Sequence, residues 1–376
     1  MTQAGARRLR RPLPDFPWDS LAPFAATARA HPGGVVDLSI GTPVDPTPAV
    51  LRQALAAAAD APGYPQTHGT PALRAAVAGW FGRRRGVPDV DPDGVLPTIG
   101  SKELVAWLPT LLGLGPGDVV VHPQVAYPTY DVGARLAGAT PRPADGTAQL
   151  GPVPRDGSGR VGLVWLNSPA NPTGQVLGVE HLAKVVAWAR SVGAVVASDE
   201  CYAELGWEVD EVPSLLDPRV CGGSHQGLLA VYSLSKQSNL AGYRAGFAAG
   251  DPDLVHALLQ VRKHAGMMLP APVQQVLIAA VQDDLHVAEQ RERYRARRQV
   301  ARAALLAADF RIDHSEAGLY LWASRDEPGR QTLGWLAERG VLAAPGDFYG
   351  AAGAAHVRVA LTATDERIAA LADRLR

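Results

Sequence analysis

The sequence predicts an α/β fold: a large domain on a mainly parallel mixed sheet flanked by helices, with a smaller α+β domain beside it. Three observations carry this. Short apolar runs alternate with helix-like segments through the middle of the chain, as a sheet covered on both faces by crossover helices requires. After Pro252 that alternation gives way to long helical stretches. The chain has 376 residues, 47% of them hydrophobic, enough for one large core and a smaller second one.

In chain order, the opening is proline-rich and irregular up to Pro17, residues 21–30 suit a short helix, and 35–40 suit a strand that Gly41 ends. Helices are expected at 48–59 and 70–85, the second opened by Thr70 as N-cap with Pro71 in its first turn. Strands follow at 95–98, 119–121, 161–166, 194–198 and 228–232, with helices at 101–112, 129–137 and 179–192 between them. Residues 274–308 read as helical with only Asp283-Asp284 to interrupt them. Strand-like pieces at 318–323 and 356–361 and a helix from about Thr364 complete the chain. The expected division is 1–45 in the small domain, 46–265 as the large domain, and 266–376 as the rest of the small one.

Composition narrows the function. Lys and Arg total 36 against 37 Asp and Glu, so a net charge of -1 gives no electrostatic case for nucleic acid or an acidic membrane. Cys201 and Cys221 form neither a disulfide framework nor a zinc pair, and the ten histidines lack paired ligand spacing. No metal is expected, and a reducing cytoplasm fits. No run approaches the roughly 18 apolar residues of a membrane span. Arg7-Arg8-Leu9-Arg10-Arg11 is followed by Pro12 and Pro14, which stop an amphipathic presequence helix, so it reads as a solvated tail. Gly113-Leu114-Gly115-Pro116-Gly117 lies between a helix and a strand, the reverse of the dinucleotide-binding order, and reads as a helix stop. The arginine-rich stretch 291–302 reads as the solvated face of a long helix.

Three segments carry chemistry. Ser233-Leu234-Ser235-Lys236 runs on to Gly242-Tyr243-Arg244-Ala245-Gly246 and supplies an amine, two hydroxyls and a guanidinium, the set that a phosphorylated aldehyde needs. Alone, Lys236 reads equally well as a surface lysine. Asn167-Ser168-Pro169-Ala170-Asn171-Pro172-Thr173-Gly174 directly follows a strand; alone it is a proline-rich turn, and its Asn171–Pro172 bond is a candidate for the cis isomer. Ser198-Asp199-Glu200-Cys201-Tyr202 puts a carboxylate at the end of an apolar strand, where it needs a cationic partner such as a protonated pyridine nitrogen.

In their order and separations these segments resemble the class I/II aminotransferases, the fold-type I family of pyridoxal 5′-phosphate (PLP) enzymes, over nearly the whole chain from about Val36. The resemblance implies that Lys236 carries PLP as a Schiff base and later moves the proton at the substrate Cα. It implies that Asp199 pairs with the pyridine nitrogen, and that Asn171 and Tyr202 hydrogen-bond the phenolic oxygen. Ser233, Ser235 and Arg244 would hold the phosphate, together with Ser101 and the backbone of Lys102 at a helix N-terminus. Tyr127 resembles the aromatic residue stacked on the ring, against the plainer reading of a core tyrosine. Arg358 resembles the arginine that clamps the substrate α-carboxylate, and Gly41 a glycine whose backbone approaches the same group. Tyr64 resembles the tyrosine that reaches the phosphate of a neighbouring subunit, which implies a homodimer with shared sites.

The expected reaction takes an amino group from an amino-acid donor to 2-oxoglutarate. Phe16-Pro17-Trp18-Asp19, the run from Asp37 to Pro48, and Lys236-Gln237-Ser238-Asn239-Leu240-Ala241-Gly242 are most similar to the N-succinyl-LL-diaminopimelate aminotransferases of lysine and cell-wall precursor synthesis. Aspartate, aromatic or histidinol-phosphate aminotransferases and a PLP-dependent C–S lyase share the same cofactor motifs. A transcription regulator with such a domain would need a DNA-binding module ahead of Val36, where no helix-turn-helix pattern occurs.

Overall fold

The computed structural model describes residues 13–146, Gln149 and 159–376. The Arg7–Arg11 run lies outside them. Helix α1 (Ala22–Arg29) leads to a two-residue strand β1 (Val36–Asp37), then to helices α2 (Ala49–Ala57) and α3 (Pro71–Arg85). The strand expected over 35–40 is this short because the Asp37 carboxylate accepts from both the N–H and the hydroxyl of Ser39, which turns the chain. Thr70 caps α3 by accepting from the Leu73 N–H.

The large sheet then forms in alternation: β2 (Val95–Ile99), α4 (Ser101–Leu111), β3 (Asp118–His122), α5 (Thr129–Ala137), β4 (Thr140–Pro143), β5 (Arg160–Asn167), α6 (Val179–Val192), β6 (Val195–Asp199), α7 (Pro218–Cys221), β7 (Leu228–Ser233) and β8 (Ala245–Gly250). Its order is β2-β8-β7-β6-β5-β3-β4. All pairs are parallel except those of β8, which is antiparallel to both β2 and β7. Two strands escape the sequence pattern for identifiable reasons. β4 carries Pro141 and Pro143 and is tolerated because it lies at the sheet edge. β8 is built of Ala, Gly and Phe because its neighbours approach so closely: a Cβ on Gly250 would lie 2.0 Å from the Leu228 carbonyl oxygen.

Beyond the sheet come α8 (Pro252–Ala265), α9 (Ala271–Gln282) and α10 (Leu285–Ala307), with the break between the last two at Asp283-Asp284. Val276, Leu277, Ala280 and Val281 of α9 belong to the core of the large sheet, with Leu51 of α2 and Leu73 of α3. The second core surrounds an antiparallel sheet, β12-β13-β10-β9, made by β9 (Arg311–Asp313), β10 (Tyr320–Ser324), β12 (Ala344–Pro345) and β13 (Val357–Ala360). Helix α11 (Gly329–Glu338) and β11 (Val341–Leu342) fall between these strands, and β11 pairs in parallel with β1. Helices α12 (Asp365–Ala369) and α13 (Leu371–Arg374) follow, with Thr364 capping the first.

One expectation is corrected here. Residues 291–302 are not simply a solvated face, because α10 gives Tyr294 and Ala301 to the second core. Arg297 and Arg298 are buried; Arg297 is paired with Asp45 and Asp365, and Arg298 with Glu208. Among the described residues no helix is long and apolar enough to cross a membrane.

Candidate active site

The site assembles where parallel strands end. Asn167 at the end of β5 stands opposite Asp199 at the end of β6, and Asp199 is in turn paired with Val231 of β7. The C-terminal edge of such a sheet is the usual ligand crevice, because the loops leaving it diverge. β8 runs the other way, so its first residues meet these ends: Ala245 is opposite Ile99 and Gly246 opposite Ser233. Arg244, just before β8, therefore emerges between the ends of β2 and β7.

Asp199 is buried at the bottom of the crevice. Its carboxylate accepts from the Tyr130 hydroxyl at 3.1 Å and from the Cys201 N–H at 3.3 Å, and among the described residues no Lys, Arg or His forms an ion pair with it. Burial pushes its pKa up, against the hydrogen bonds from Cys201 and Tyr130. A cation beside it would offset that desolvation. The loop after β5 is folded by Asn167, which donates to the Asp199 and Pro169 carbonyls and accepts from the Asn171 N–H. Both Ser168–Pro169 and Asn171–Pro172 are cis.

Lys236 follows β7 with its amine donating to the Gly41 carbonyl. Desolvation lowers its pKa from 10.5 to about 8, and the positive charges of Arg358 and Arg244 act the same way. Ser233 Oγ donates to Ser235 Oγ at 2.8 Å. Opposite them α4 begins at Ser101 and Lys102, after Gly100 at φ 71. A Cβ on Gly100 would lie 2.3 Å from Arg244 Nη2, so only glycine lets the guanidinium sit against this helix start. Arg244 donates to the Ala241 and Ile99 carbonyls and forms no ion pair among the described residues.

Arg358, on β13, is 3% exposed. It donates to Asn171 Oδ1 at 3.0 Å and to the Ser39 carbonyl at 2.6 Å, while its Nε has no partner. Its guanidinium lies 4.0 Å from the Tyr320 ring centroid and 5.1 Å from that of Tyr349. A buried cation without a carboxylate partner is a ready seat for an incoming one. Tyr202 and Tyr320 share a hydrogen bond of 3.1 Å between hydroxyls, and burial raises the pKa of both, keeping them protonated as donors.

Tyr127 meets Tyr130 edge-on at 6.1 Å, and Lys102 Nζ lies 5.9 Å from the Tyr127 and Phe16 ring centroids. The chain thus brings the sequence-derived residues together with one exception. Tyr64 is 96% exposed, and no hydrogen bond or ring contact among the described residues joins it to the site. Sequence reading missed Tyr130, Tyr320 and Tyr349. Tyr130 lies in the first turn of α5, three residues after Tyr127, and Tyr320 on an expected strand, but only the folded chain reveals their partners. No group of His, Cys, Asp and Glu among the described residues could hold a metal ion.

The set fits PLP: a part-buried amine of lowered pKa, an unpaired carboxylate below it, and a glycine-shaped cradle of hydroxyls and a free guanidinium at a helix start. Residues 33–375 match the profile described as aminotransferase class I and II. The chain is 61% identical over 365 residues to the 4-dedimethylamino-4-oxo-anhydrotetracycline transaminase OxyQ of Streptomyces rimosus, covering 97% of this chain and 99% of that one. It is similar to an aminotransferase structure from Neisseria meningitidis, at TM-score 0.86 and 31% identity, covering 96% of this chain and 97% of that one. It is also similar to the N-succinyldiaminopimelate aminotransferase of Mycobacterium tuberculosis, at TM-score 0.82 and 27% identity, with coverage of 95% and 96%.

Proposed function

The chain belongs to the class I and II aminotransferases, whose cofactor is PLP, and from that premise we propose that it moves the amino group of N-succinyl-LL-2,6-diaminopimelate to 2-oxoglutarate in lysine and diaminopimelate synthesis. The observation that carries an amino-acid and 2-oxo-acid reading is Arg358, a buried guanidinium with no acidic partner among the described residues, close enough to Lys236 to depress its pKa. The succinylated donor is supported by the likeness to the Mycobacterium tuberculosis enzyme and by the sequence runs quoted above.

When bound, PLP supplies an electron sink for the charge left at the substrate Cα. Lys236 would be its attachment point, and the same amine, its charge disfavoured by burial and by Arg358 and Arg244, would be the base at the substrate Cα. Asp199 would keep the ring nitrogen protonated. Asn171 and Tyr202 would donate to the phenolic oxygen; Ser233, Ser235, Arg244, Ser101 and the Lys102 backbone would hold the phosphate; Tyr127 would cover the ring. Arg358, Asn171 and Gly41 orient the α-carboxylate, which donor and acceptor share. Tyr64 would complete the phosphate site of a second subunit, so the working form in this reading is a homodimer.

A second reading is favoured by the 61% identity to OxyQ: a large cyclic ketone as amino acceptor. Both are tested by kcat/KM for N-succinyl-LL-diaminopimelate beside aspartate, alanine, histidinol phosphate and aromatic donors with 2-oxoglutarate, and by setting a polycyclic ketone acceptor against 2-oxoglutarate. The succinylated donor is expected to lead. A donor at least about tenfold better overturns the substrate assignment, preferred turnover of a cyclic ketone selects the second reading, and oxo acid plus ammonia without acceptor indicates a lyase.

A further inference from the structure

Helix α10 carries a polar stripe where a solvated face was expected. His286, Gln290, Tyr294 and Arg297 follow one another at helical spacing and point to one side. All four are buried. Three reach the loop of the lysine: His286 pairs with Ser238 Oγ at 2.8 Å, Gln290 Oε1 accepts from Asn239 Nδ2 at 2.9 Å, and the Tyr294 hydroxyl donates to the Lys236 carbonyl at 3.4 Å. Two reach the segment that follows Gly41: Gln290 Nε2 donates to Asp45 Oδ2 at 2.8 Å, and Arg297 donates to both Asp45 oxygens at 2.6 and 2.7 Å.

Gln290 alone belongs to both groups. It is 1% exposed, and its amide is used at both ends, accepting from the lysine loop and donating to the Gly41 segment. The two segments also touch directly, since Asn239 Nδ2 donates to the Pro46 carbonyl and Thr47 Oγ1 to the Asn239 carbonyl. Asn239 takes the left-handed conformation at φ 53, which asparagine tolerates better than other side chains. Nearest the chemistry, the same two segments are joined by the hydrogen bond from the Lys236 amine to the Gly41 carbonyl.

We propose that Gln290 is a positioning residue: bridging Asn239 and Asp45 from α10, it sets the Lys236 loop and the Gly41 segment in register and so holds the amine against the Gly41 carbonyl. The proposal rests on Lys236 as cofactor carrier and on Gly41 beside the substrate carboxylate. Polarity makes it testable. Gln290→Glu keeps the size and the acceptor for Asn239, but turns a carboxylate onto Asp45. Gln290→Met keeps the volume and removes both bonds without placing a charge on Asp45, whose pair with Arg297 stays intact.

In Gln290→Glu kcat falls and the donor KM rises, each roughly three- to tenfold, since both the base and the segment beside the substrate carboxylate lose their register. Backbone amides of 39–47 and of 234–240 both exchange with solvent roughly threefold faster in the apoprotein. Gln290→Met shows both effects to a similar degree. A Gln290→Met chain that behaves as the unaltered one overturns the proposal, as does faster exchange in only one segment. If Gln290→Glu does not fold, Gln290→Met serves alone: exchange must quicken in both 39–47 and 234–240, and an effect confined to one of them overturns the proposal. Mapping the borohydride-reduced adduct in the unaltered holoenzyme separates the two ideas. An adduct away from Lys236 refutes the carrier, whereas an adduct on Lys236 with no effect of the variants refutes only the bridge.

Discussion

Arg358 Nη1 donates to Asn171 Oδ1 at 3.0 Å, joining the sheet of the second core to the loop after β5 across 187 positions of sequence. Its other terminal nitrogen holds the Ser39 carbonyl. The guanidinium thus gathers three separate segments around the place where a carboxylate would sit, and its planar fork can make all these bonds at once.

Arg358→Lys keeps the charge but loses that fork, so the α-carboxylate and Asn171 compete for a single ammonium. The loss of one or two charged hydrogen bonds corresponds to a fall in kcat/KM of roughly 10- to 1,000-fold for donor and for 2-oxoglutarate alike. Steady-state kinetics with both substrates check this. A fall for the donor alone would mean that Arg358 meets its distal end and not the group the two share.

Lys236→Ala is expected to abolish transamination and remove the visible absorbance of the lysine-bound cofactor, because no other amine is placed to form the imine. The pH dependence in the unaltered apoprotein follows from a pKa near 8. Uptake of PLP at Lys236 needs the neutral amine, so its rate rises as pH approaches 8 and levels off above it. The linkage to stability has a definite sign. Between pH 8 and 10.5 the unfolded chain holds a proton on this lysine that the folded chain does not, so this group makes the apoprotein more stable as pH rises through that window. Denaturant titrations at pH 8 and pH 10, compared with Lys236→Ala, isolate the contribution.

Much of this was legible in the sequence. Helices 129–137 and 179–192 have the expected bounds because their apolar spacing and the αL glycines Gly138 and Gly193 after them act locally. The motif residues around Asn171, Asp199 and Lys236 were visible because each follows an apolar strand. What stayed hidden depends on neighbours distant in sequence. β8 has a composition set by the backbones beside it, not by β propensity. Arg297 and Arg298 look like surface arginines until Asp45, Asp365 and Glu208 are brought to them. Tyr320 matters because Gly41 lies against it: a Cβ there would fall 2.2 Å from the Tyr320 hydroxyl oxygen.

Tyr130→Phe tests one such hidden contact. The phenol donates to Asp199, whose pKa burial already raises. Without it the carboxylate loses one of the bonds favouring its ionised form, and a less ionised Asp199 protonates the ring nitrogen less well. A loss of about 1 kcal/mol, or roughly fivefold in kcat, is expected, with the fold and the imine absorbance kept. Asp199→Ala must be far more damaging while still allowing the imine. Equal losses in the two variants would show that Tyr130 acts on something other than Asp199.

The last prediction concerns Tyr64, which is 96% exposed and has no hydrogen bond or ring contact to the site among the described residues of its own chain. If it serves the phosphate of a second subunit, Tyr64→Ala weakens PLP binding by roughly 10- to 100-fold, the worth of a hydrogen bond to a charged group. Mixing decides in which subunit it acts. A Lys236→Ala chain is inactive but carries an intact Tyr64; a Tyr64→Ala chain carries an intact Lys236 but retains PLP poorly. In a mixed dimer with shared sites, one site receives both defects and the other neither. Equal mixing with random exchange therefore restores about a quarter of the full complement of intact sites, measured as activity at limiting PLP. If Tyr64 acted within its own chain, every site with Lys236 would still lack it, and mixing would restore nothing.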